Sequence, residues 1–224
     1  PEFTRDTLER WDGTRVPSPP QDADRTVVLV ADPTTNYVDP GPGKAAVEVL
    51  EAANCRVEIA TDVGETGRSA YSNGLLDRAR EQARDTLESL APHVEEGQDV
   101  VFVEPSDAVM FQDEYHDLLP DDERVATVGE NAYGVMEYVD RFDLDEGVAW
   151  DAPDASLTYH GHCHQKSVNT DHHAARVLER AGYDVDELDS SCCGMAGSFG
   201  YEAEHYELSQ AVGDVVFDQV REIG

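Results

Sequence analysis

Basic residues are scarce in this chain of 224 residues, and their scarcity excludes a large class of functions. Lysine and arginine together number 16, against 48 aspartates and glutamates, and Lys44 and Lys166 are the only lysines. Proteins that bind nucleic acids or anionic lipid surfaces use clusters of lysine and arginine, and the sequence has no such cluster. Nucleic acid is therefore not expected as a partner, nor is a membrane surface held by basic side chains.

Long apolar runs and a signal-peptide pattern are also lacking. No stretch approaches the roughly 20 apolar residues that a membrane-spanning helix needs, and the N-terminus lacks the charged, apolar and small-residue regions of a secretory signal. Four cysteines without framework spacing do not make a secreted disulfide scaffold. The sequence predicts a cytoplasmic protein that does not span a membrane, and its first residue, Pro1, indicates a segment of something longer.

The negative charge is spread along the whole chain rather than gathered in one block. The formal net charge is -32, and the acidic residues alternate with apolar segments of regular period. A disordered acidic tail would concentrate its charge, so that interpretation fails. High salt screens the self-repulsion of such a surface. The composition resembles that of proteins from salt-loving archaea.

Short valine-rich runs alternate with helical periods, which predicts an α/β protein. Residues 1–25 are polar and carry the stretch VPSPPQDAD, and they are expected to be a linker from an upstream region. Buried strands are predicted over residues 26–32, 55–60 and 99–105. Helices are predicted over residues 41–53, 72–94, 107–119 and 131–142, with Ser72 as a cap of the second.

The second half repeats this order of elements. Strands are predicted over residues 156–161 and 183–188, and helices over residues 170–181 and 201–223. VEVLEAANCRVEIA, from Val47, aligns without a gap with ARVLERAGYDVDEL, from Ala175. The sequence therefore predicts an internal duplication into two similar lobes of parallel βαβ units, at residues 26–146 and 147–224. Each lobe is expected to present its chemistry near the carboxyl ends of its strands.

Three of the four cysteines are candidates for metal ligation. Cys163 lies in GHCHQK, and Cys192 and Cys193 lie in SSCCGMAGSFGY. Adjacent cysteines beside a glycine pack poorly in a core, and a disulfide between neighbours is strained. Thiolates are ligands for soft metals and for iron–sulfur clusters, so the pattern predicts a metal centre. Gly194 is expected to bring backbone amides close to the sulfurs.

Two other interpretations of this cysteine cluster stay open. His160, His162 and His164 flank the first thiol, and zinc accepts mixed cysteine and histidine ligands. A labile redox disulfide between the adjacent cysteines is the other alternative. The fourth cysteine, Cys55, is predicted to be a half-buried structural thiol.

The two motifs, with the longer run CCGMAGSFGYEAEHY, resemble the cysteine-rich CCG domain. Heterodisulfide reductase B subunits, the iron–sulfur subunits of glycolate oxidase and anaerobic glycerol-3-phosphate dehydrogenase, and the C-terminal part of FAD-linked D-lactate dehydrogenases share this domain. The family carries two copies in tandem, and TNY, GLLDRAR and EPS fit its first copy. The resemblance therefore covers nearly the whole chain.

The resemblance implies a ligand set for the second lobe. Each intact copy in the family holds an iron–sulfur cluster with a lone cysteine, a Cys-Cys-Gly and a later cysteine. Cys163 matches the lone cysteine, and Cys192 and Cys193 match the pair before Gly194. The later cysteine would fall beyond Gly224, so the second lobe is expected to end before its last ligand.

The first copy departs from the family pattern. Glu65 and Thr66 stand at the position of the cysteine pair, and Asp107 follows EPS where the family often has cysteine. The resemblance thus implies a degenerate first lobe that holds no cluster.

The family's function implies the electron-transfer part of an FAD-linked dehydrogenase for D-lactate, glycolate or glycerol 3-phosphate. Electrons would pass from flavin, on a separate domain or subunit, through a 4Fe–4S cluster to a quinone or similar acceptor. No catalytic residue is expected within the chain. The expected location of the protein is the cytoplasm, with the inner face of the membrane as an alternative. The alternative is a zinc-binding or metal-free docking module of such a complex.

Overall fold

The computed structural model describes residues 2–15, 23–60, 63–189 and 192–223. Contacts divide the chain into two compact units, Pro1–Val148 and Ala149–Gly224. Both units combine parallel strands with helices, which confirms the predicted α/β class. In the described residues, no helix has the length and apolar character needed to cross a bilayer.

The first unit is built on a parallel sheet of four strands in the order β2-β1-β3-β4. The strands are β1 (Arg25–Val30), β2 (Cys55–Ala60), β3 (Asp99–Phe102) and β4 (Ala132–Gly134). The four residues Val27 to Val30 are all buried, as the continuous apolar run predicts for a strand covered on both faces. Register is fixed along the whole of β2, from Arg25 opposite Cys55 to Val30 opposite Ala60.

Nine helices of the first unit lie within the described residues. They are α1 (Leu8–Asp12), α2 (Pro33–Tyr37), α3 (Gly41–Ala52), α4 (Arg68–Ser72), α5 (Leu76–Glu95), α6 (Pro105–Val109), α7 (Tyr115–Leu118), α8 (Glu123–Gly129) and α9 (Val135–Arg141). A π-helical segment, Met110–Glu114, joins α6 to α7, and a 3-10 turn, Leu144–Gly147, follows α9.

The predicted helix over residues 72–94 is wrong at its start. Ser72 ends α4 instead of capping the next helix, because Gly74 takes a left-handed conformation with φ of 71° and breaks the helical path. Leu75 and Leu76, within the predicted helix, are 54% and 41% exposed. The apolar side chains farther along the helix, Ala79, Ala83, Leu87 and Leu90, are buried.

Two other short elements differ from the sequence prediction. Residues 132–134 pair with β3 as a fourth strand, so the helix predicted from residue 131 begins only at Val135. Within the segment predicted as linker, α1 forms with Thr7 as its cap, and Leu8 is completely buried. Residues 16–22, which include the proline-rich part of that segment, lie outside the described residues.

The second unit contains a parallel pair of strands, β5 (Ser156–Tyr159) and β6 (Asp184–Glu187). Its helices are α10 (Cys163–Ser167), α11 (His172–Ala181) and α12 (Tyr206–Ile223), with a 3-10 turn at Phe199–Tyr201. Helix α10 was not expected, and α12 starts five residues later than predicted. Strand, helix and parallel strand follow one another here as in the first unit, while the internal duplication itself stays a prediction.

Candidate metal centre

The two cysteine motifs of the second unit are held at the same end of its strand pair. GHCHQK follows β5 and the Cys-Cys-Gly loop follows β6, and these strands run parallel in register. The amide of Leu188, just after β6, donates to the carbonyl of Tyr159 at the end of β5 at 2.9 Å. Because parallel strands end on the same edge, the topology directs both motifs to one region.

A lysine reinforces this connection. The Lys166 ammonium, on α10, donates to the carbonyl of Leu188 at 3.2 Å and so ties the helix of Cys163 to the chain that leads into Cys192. The sequence prediction missed this role of Lys166, although the presence of only two lysines among 16 basic residues was a signal that this one is special.

The thiol of Cys163 lies at the first position of α10 and is half-buried. Burial raises its pKa, and the neighbouring sulfurs of Cys192 and Cys193 raise the pKa further by electrostatic repulsion, while the backbone amide of His164 opposes the shift. The sulfurs of Cys192 and Cys193 are therefore near enough to act electrostatically on the Cys163 thiol. A cation bound among them would relieve this repulsion.

Gly161 lies in a tightly packed position between the end of β5 and Cys163. A Cβ atom at Gly161 would lie 2.5 Å from the carboxylate of Asp171, and the Tyr159 hydroxyl donates to the carbonyl of the same aspartate at 3.0 Å. A side chain at position 161 would therefore require the side chains of Asp171 and Lys166 to move. The sequence interpretation treated this glycine as part of a motif without giving it a function.

The Cys-Cys-Gly loop packs its backbone directly on α12. Gly194 adopts φ of 89°, and a Cβ there would lie 2.2 Å from the carbonyl oxygen of Ser209. From the other side, Gly213 leaves room for the Cys193 carbonyl, which would lie 3.0 Å from a Cβ at that position. The amide of Gly194 donates to the sulfur of Cys192 at 3.4 Å.

The donor set fits an iron–sulfur cluster on these observations. Thiolates are the ligands that such clusters take, and an amide directed at a ligating sulfur is a contact that tunes the reduction potential. Cys192 is half-buried and Cys193 is exposed. In the described chain, neither Cys163 nor its flanking histidines His160, His162 and His164 belong to a group of three donors within 4.8 Å of one another.

Cys55, the fourth cysteine, lies on β2 of the first unit and is completely buried. Burial raises the pKa of its thiol to about 11. It is more buried than the sequence predicted, and it offers a matched control for the three candidate ligands.

In the first unit, the positions aligned with the family's cysteines meet at the carboxyl edge of the sheet. The Thr66 hydroxyl donates to the carboxylate of Asp107, and both residues are buried. The hydroxyl of Tyr115 donates to the Thr66 carbonyl at 2.6 Å. Oxygen groups that hydrogen-bond to each other therefore occupy the place where the resemblance expects thiolates.

A comparison with known protein families finds a match in the part of the chain that carries the cysteine motifs. Residues 157–224 match the family model of the CCG cysteine-rich domain, and this stretch includes Cys163, Cys192 and Cys193.

Several curated proteins are similar to the chain over most of its length. It is 28% identical over 234 aligned residues to a subunit of the anaerobic glycerol-3-phosphate dehydrogenase of Escherichia coli (strain K12), covering 100% of this chain and 57% of the relative. The chain thus spans little more than half of that protein.

Two further curated proteins of different names are similar to the chain at about the same level of identity. The D-2-hydroxyglutarate dehydrogenase of Escherichia coli (strain K12) is 27% identical over 198 residues, which cover 87% of this chain and 19% of the relative. Lactate utilization protein A of Bacillus cytotoxicus is 29% identical over 190 residues, 81% of this chain and 76% of the relative. No solved structure matches the chain significantly.

Proposed function

We propose that this chain is the electron-transfer part of an FAD-linked dehydrogenase of the D-lactate, glycolate or glycerol-3-phosphate type. In this proposal, Cys163, Cys192 and Cys193 bind an iron–sulfur cluster of the 4Fe–4S type, and Gly194 positions the loop. The observation that carries the proposal is the position of both cysteine motifs at one end of the β5–β6 pair, where the sulfurs of Cys192 and Cys193 act electrostatically on Cys163.

The relatives support the assignment to a dehydrogenase. One is part of a glycerol-3-phosphate dehydrogenase, one is a D-2-hydroxyglutarate dehydrogenase, and one is named for lactate utilization. Glycerol 3-phosphate, D-2-hydroxyglutarate and lactate all carry a secondary hydroxyl group. We propose that the complete protein oxidises the hydroxyl-bearing carbon of a 2-hydroxy acid or a polyol phosphate on a flavin domain or subunit.

In this proposal the residues of this chain bind the cluster and position its ligands. When bound, the cluster supplies one-electron transfer between the flavin and an acceptor. Gly194 directs its amide to the Cys192 sulfur, and Lys166 keeps the two motifs together. Cys193 is exposed, which marks its side of the site as the approach for an electron-transfer partner such as the flavin part or a quinone.

We propose further that the first lobe is a degenerate copy without a cluster. The hydrogen bond from Thr66 to Asp107 supports this, because it satisfies oxygen groups where soft thiolates would be needed. On this proposal the lobes at residues 26–146 and 147–224 are duplicates, and only the second keeps its redox centre.

The test is an absorption spectrum of the full protein purified without oxygen. We expect a broad visible band that bleaches on reduction and returns when a soluble quinone analogue is added. A protein that is colourless and contains zinc in place of iron would favour the zinc-binding alternative. A protein that is colourless and metal-free would favour the docking module.

A further inference from the structure

The last helix of the second unit carries large apolar side chains that are only partly covered. Phe217 and Val220 on α12 are 48% and 43% exposed. On the same helix, Ser209, Gly213 and Val216 are buried. The apolar surface of α12 is therefore wider than the part of the helix that the fold covers.

A glycine in the same conformation relates α12 to α5 of the first unit. Gly67, in the loop after β2, and Gly194, in the loop after β6, have φ of 91° and 89°. A Cβ atom at Gly67 would lie 3.0 Å from the carbonyl oxygen of Ala79 on α5. A Cβ atom at Gly194 would meet the carbonyl oxygen of Ser209 on α12 in the same way. On this basis Ala79 corresponds to Ser209.

This correspondence indicates which side chains of α12 should be covered. Counted along the two helices from that pair, Leu87 corresponds to Phe217 and Leu90 corresponds to Val220. Both leucines are completely buried, in a core cluster shared with β3, α7 and α8. These three elements all follow α5 in the chain and pack against it. The matching surface of α12 is exposed because the second unit has no counterpart of them among the described residues.

Strand β5 shows the same difference at one of its edges. In the described residues it pairs with β6 alone, whereas β1 pairs with both β2 and β3. The carbonyl of Tyr159 accepts the amide of Leu188 after β6, so the amide of Tyr159 also points to that side. Because successive residues of a strand direct their backbone groups to opposite edges, the amide of Thr158 points away from β6. This is the edge that corresponds to the β3 side of β1.

We propose that the exposed surface of α12 and the outer edge of β5 form one docking surface, and that the stretch of the complete protein following residue 224 occupies it. This stretch forms a strand that pairs in parallel with β5 and helices that cover Phe217 and Val220. It does for the second unit what β3, α7 and α8 do for the first. The inference rests on the proposed duplication of the lobes and is independent of the proposed cluster.

The length of the relatives and the charge of the chain both favour this occupant. The chain spans little more than half of a relative that matches it from end to end, so proteins of this kind have further chain to supply the segment. In the first unit, only residues 96–98 separate α5 from β3, so a strand can follow such a helix directly. A second copy is a poorer occupant, because two chains of net charge -32 repel each other.

The experiment is hydrogen exchange of the complete protein, measured at single amides by mass spectrometry with fragmentation. We expect the amide of Thr158 to exchange roughly a hundredfold more slowly than in an unstructured peptide, because it donates to the added strand. The amide of Leu157, which faces β6, is the reference for a bonded amide. The amide of Val185, which faces the outer edge of β6, is the reference for an open edge, since β2 is also an edge strand.

Two valines of α12 provide matched variants. Val220→Gln should lower the melting temperature of the complete protein by several degrees, because the segment covers this side chain. Val215 is 55% exposed and corresponds to Asp85, an exposed residue of α5. Val215→Gln should therefore change the melting temperature by less than about 1 °C. Equal melting temperatures of the two variants would contradict the proposal.

The exchange experiment also distinguishes other occupants. An amide of Thr158 that exchanges as fast as that of Val185 would show that the edge of β5 is open. Protection that disappears on dilution would assign the surface to a second copy, and protection that is lost when a flavin subunit is removed would assign it to that subunit. Each of these results would overturn the proposal. Iron content tests the cysteine centre separately, so failure here is distinguishable from failure of the proposed electron transfer.

Discussion

Asp107 is a buried carboxyl group at the carboxyl edge of the first sheet, only 8% exposed. Burial raises its pKa to about 6; the hydrogen bond from Thr66 opposes this shift, and the negative charges of Glu104 and Asp32 add to it. Arg68 lowers the pKa from a distance and is itself engaged with Glu114 at 2.7 Å. The native state therefore binds a proton here more tightly than the unfolded state.

The pH dependence of stability follows from this shift. Because the folded pKa is about 6 and the ordinary value is 3.8, the contribution of Asp107 is complete below pH 4 and is lost as the pH rises through 6. In Asp107→Asn, no carboxyl group can ionise at this position, so stability is no longer lost as the pH rises. The free energy of unfolding should therefore increase by up to about 3 kcal/mol at pH 7.5 and change little at pH 4.

Denaturant unfolding at both pH values measures this effect. The control is Asp117→Asn, an exposed aspartate on α7, which should change stability by less than about 0.5 kcal/mol at either pH. An Asp107→Asn variant that is destabilised equally at both pH values would show that the buried carboxyl group acts only through its hydrogen bond.

Single residues also mark the limit of sequence interpretation. The candidate ligands Cys163, Cys192 and Cys193 were chosen on their residue type, their spacing and the family resemblance, and their assignment as ligands stays a prediction. Lys166 and Gly161 were missed because their functions depend on distances across the fold, to Leu188 and Asp171. No local pattern encodes such distances.

At the scale of elements, the contact between the Cys-Cys-Gly loop and α12 predicts a specific effect of a substitution at Gly194. Gly194→Ala would place a methyl group 2.2 Å from the Ser209 carbonyl, so the loop or the helix must move. We expect a loss of about 2–4 kcal/mol in stability, because strain at positive φ adds to the backbone clash. Iron content should fall as well.

Gly197→Ala is the matched control for this substitution. Gly197 also has a positive φ, 65°, but a Cβ there meets no atom within 4 Å. Gly197→Ala should therefore lower the stability by about 1 kcal/mol, which is the backbone strain alone, and the variant protein should retain its iron. Equal effects of the two substitutions, measured by thermal unfolding and iron content, would contradict the packing described here.

Helices and strands with a regular apolar repeat could be predicted from the sequence, whereas short elements and the exact starts of helices could not. The strand at Cys55–Ala60 matches the prediction residue for residue, because alternating apolar side chains define it locally. The strand at Ala132–Gly134 was missed, since three residues form it only by pairing with β3. The start of α5 depends on the left-handed Gly74, which the apolar period does not reveal.

At the scale of the whole molecule, the charge decides how stability responds to salt. Acidic groups outnumber basic ones by 48 to 16, so repulsion between carboxylates outweighs attraction within ion pairs. Sodium chloride shortens the screening length from about 10 Å at 0.1 M to about 3 Å at 1 M. We propose a protein adapted to high salt and expect its melting temperature to rise by several degrees over this interval.

Thermal unfolding in a sodium chloride series checks this expectation. Sucrose at matched osmolality is the comparison, because it adds no ions and stabilises compact proteins only through its exclusion from their surface. The rise with sodium chloride should exceed the rise with sucrose. A melting temperature that falls with sodium chloride would mean that ion pairs such as Arg68–Glu114 matter more than the net charge.

The central claim is that the three cysteines of the second unit bind one inorganic centre. The direct measurement is the iron and acid-labile sulfide content of protein purified without oxygen, for the original chain and for single serine variants of Cys163, Cys192, Cys193 and Cys55. The account predicts that iron and sulfide are lost, at least by half, from each of the first three variants and retained in Cys55→Ser. Iron retained in full by Cys163→Ser, or lost equally from Cys55→Ser, would contradict it.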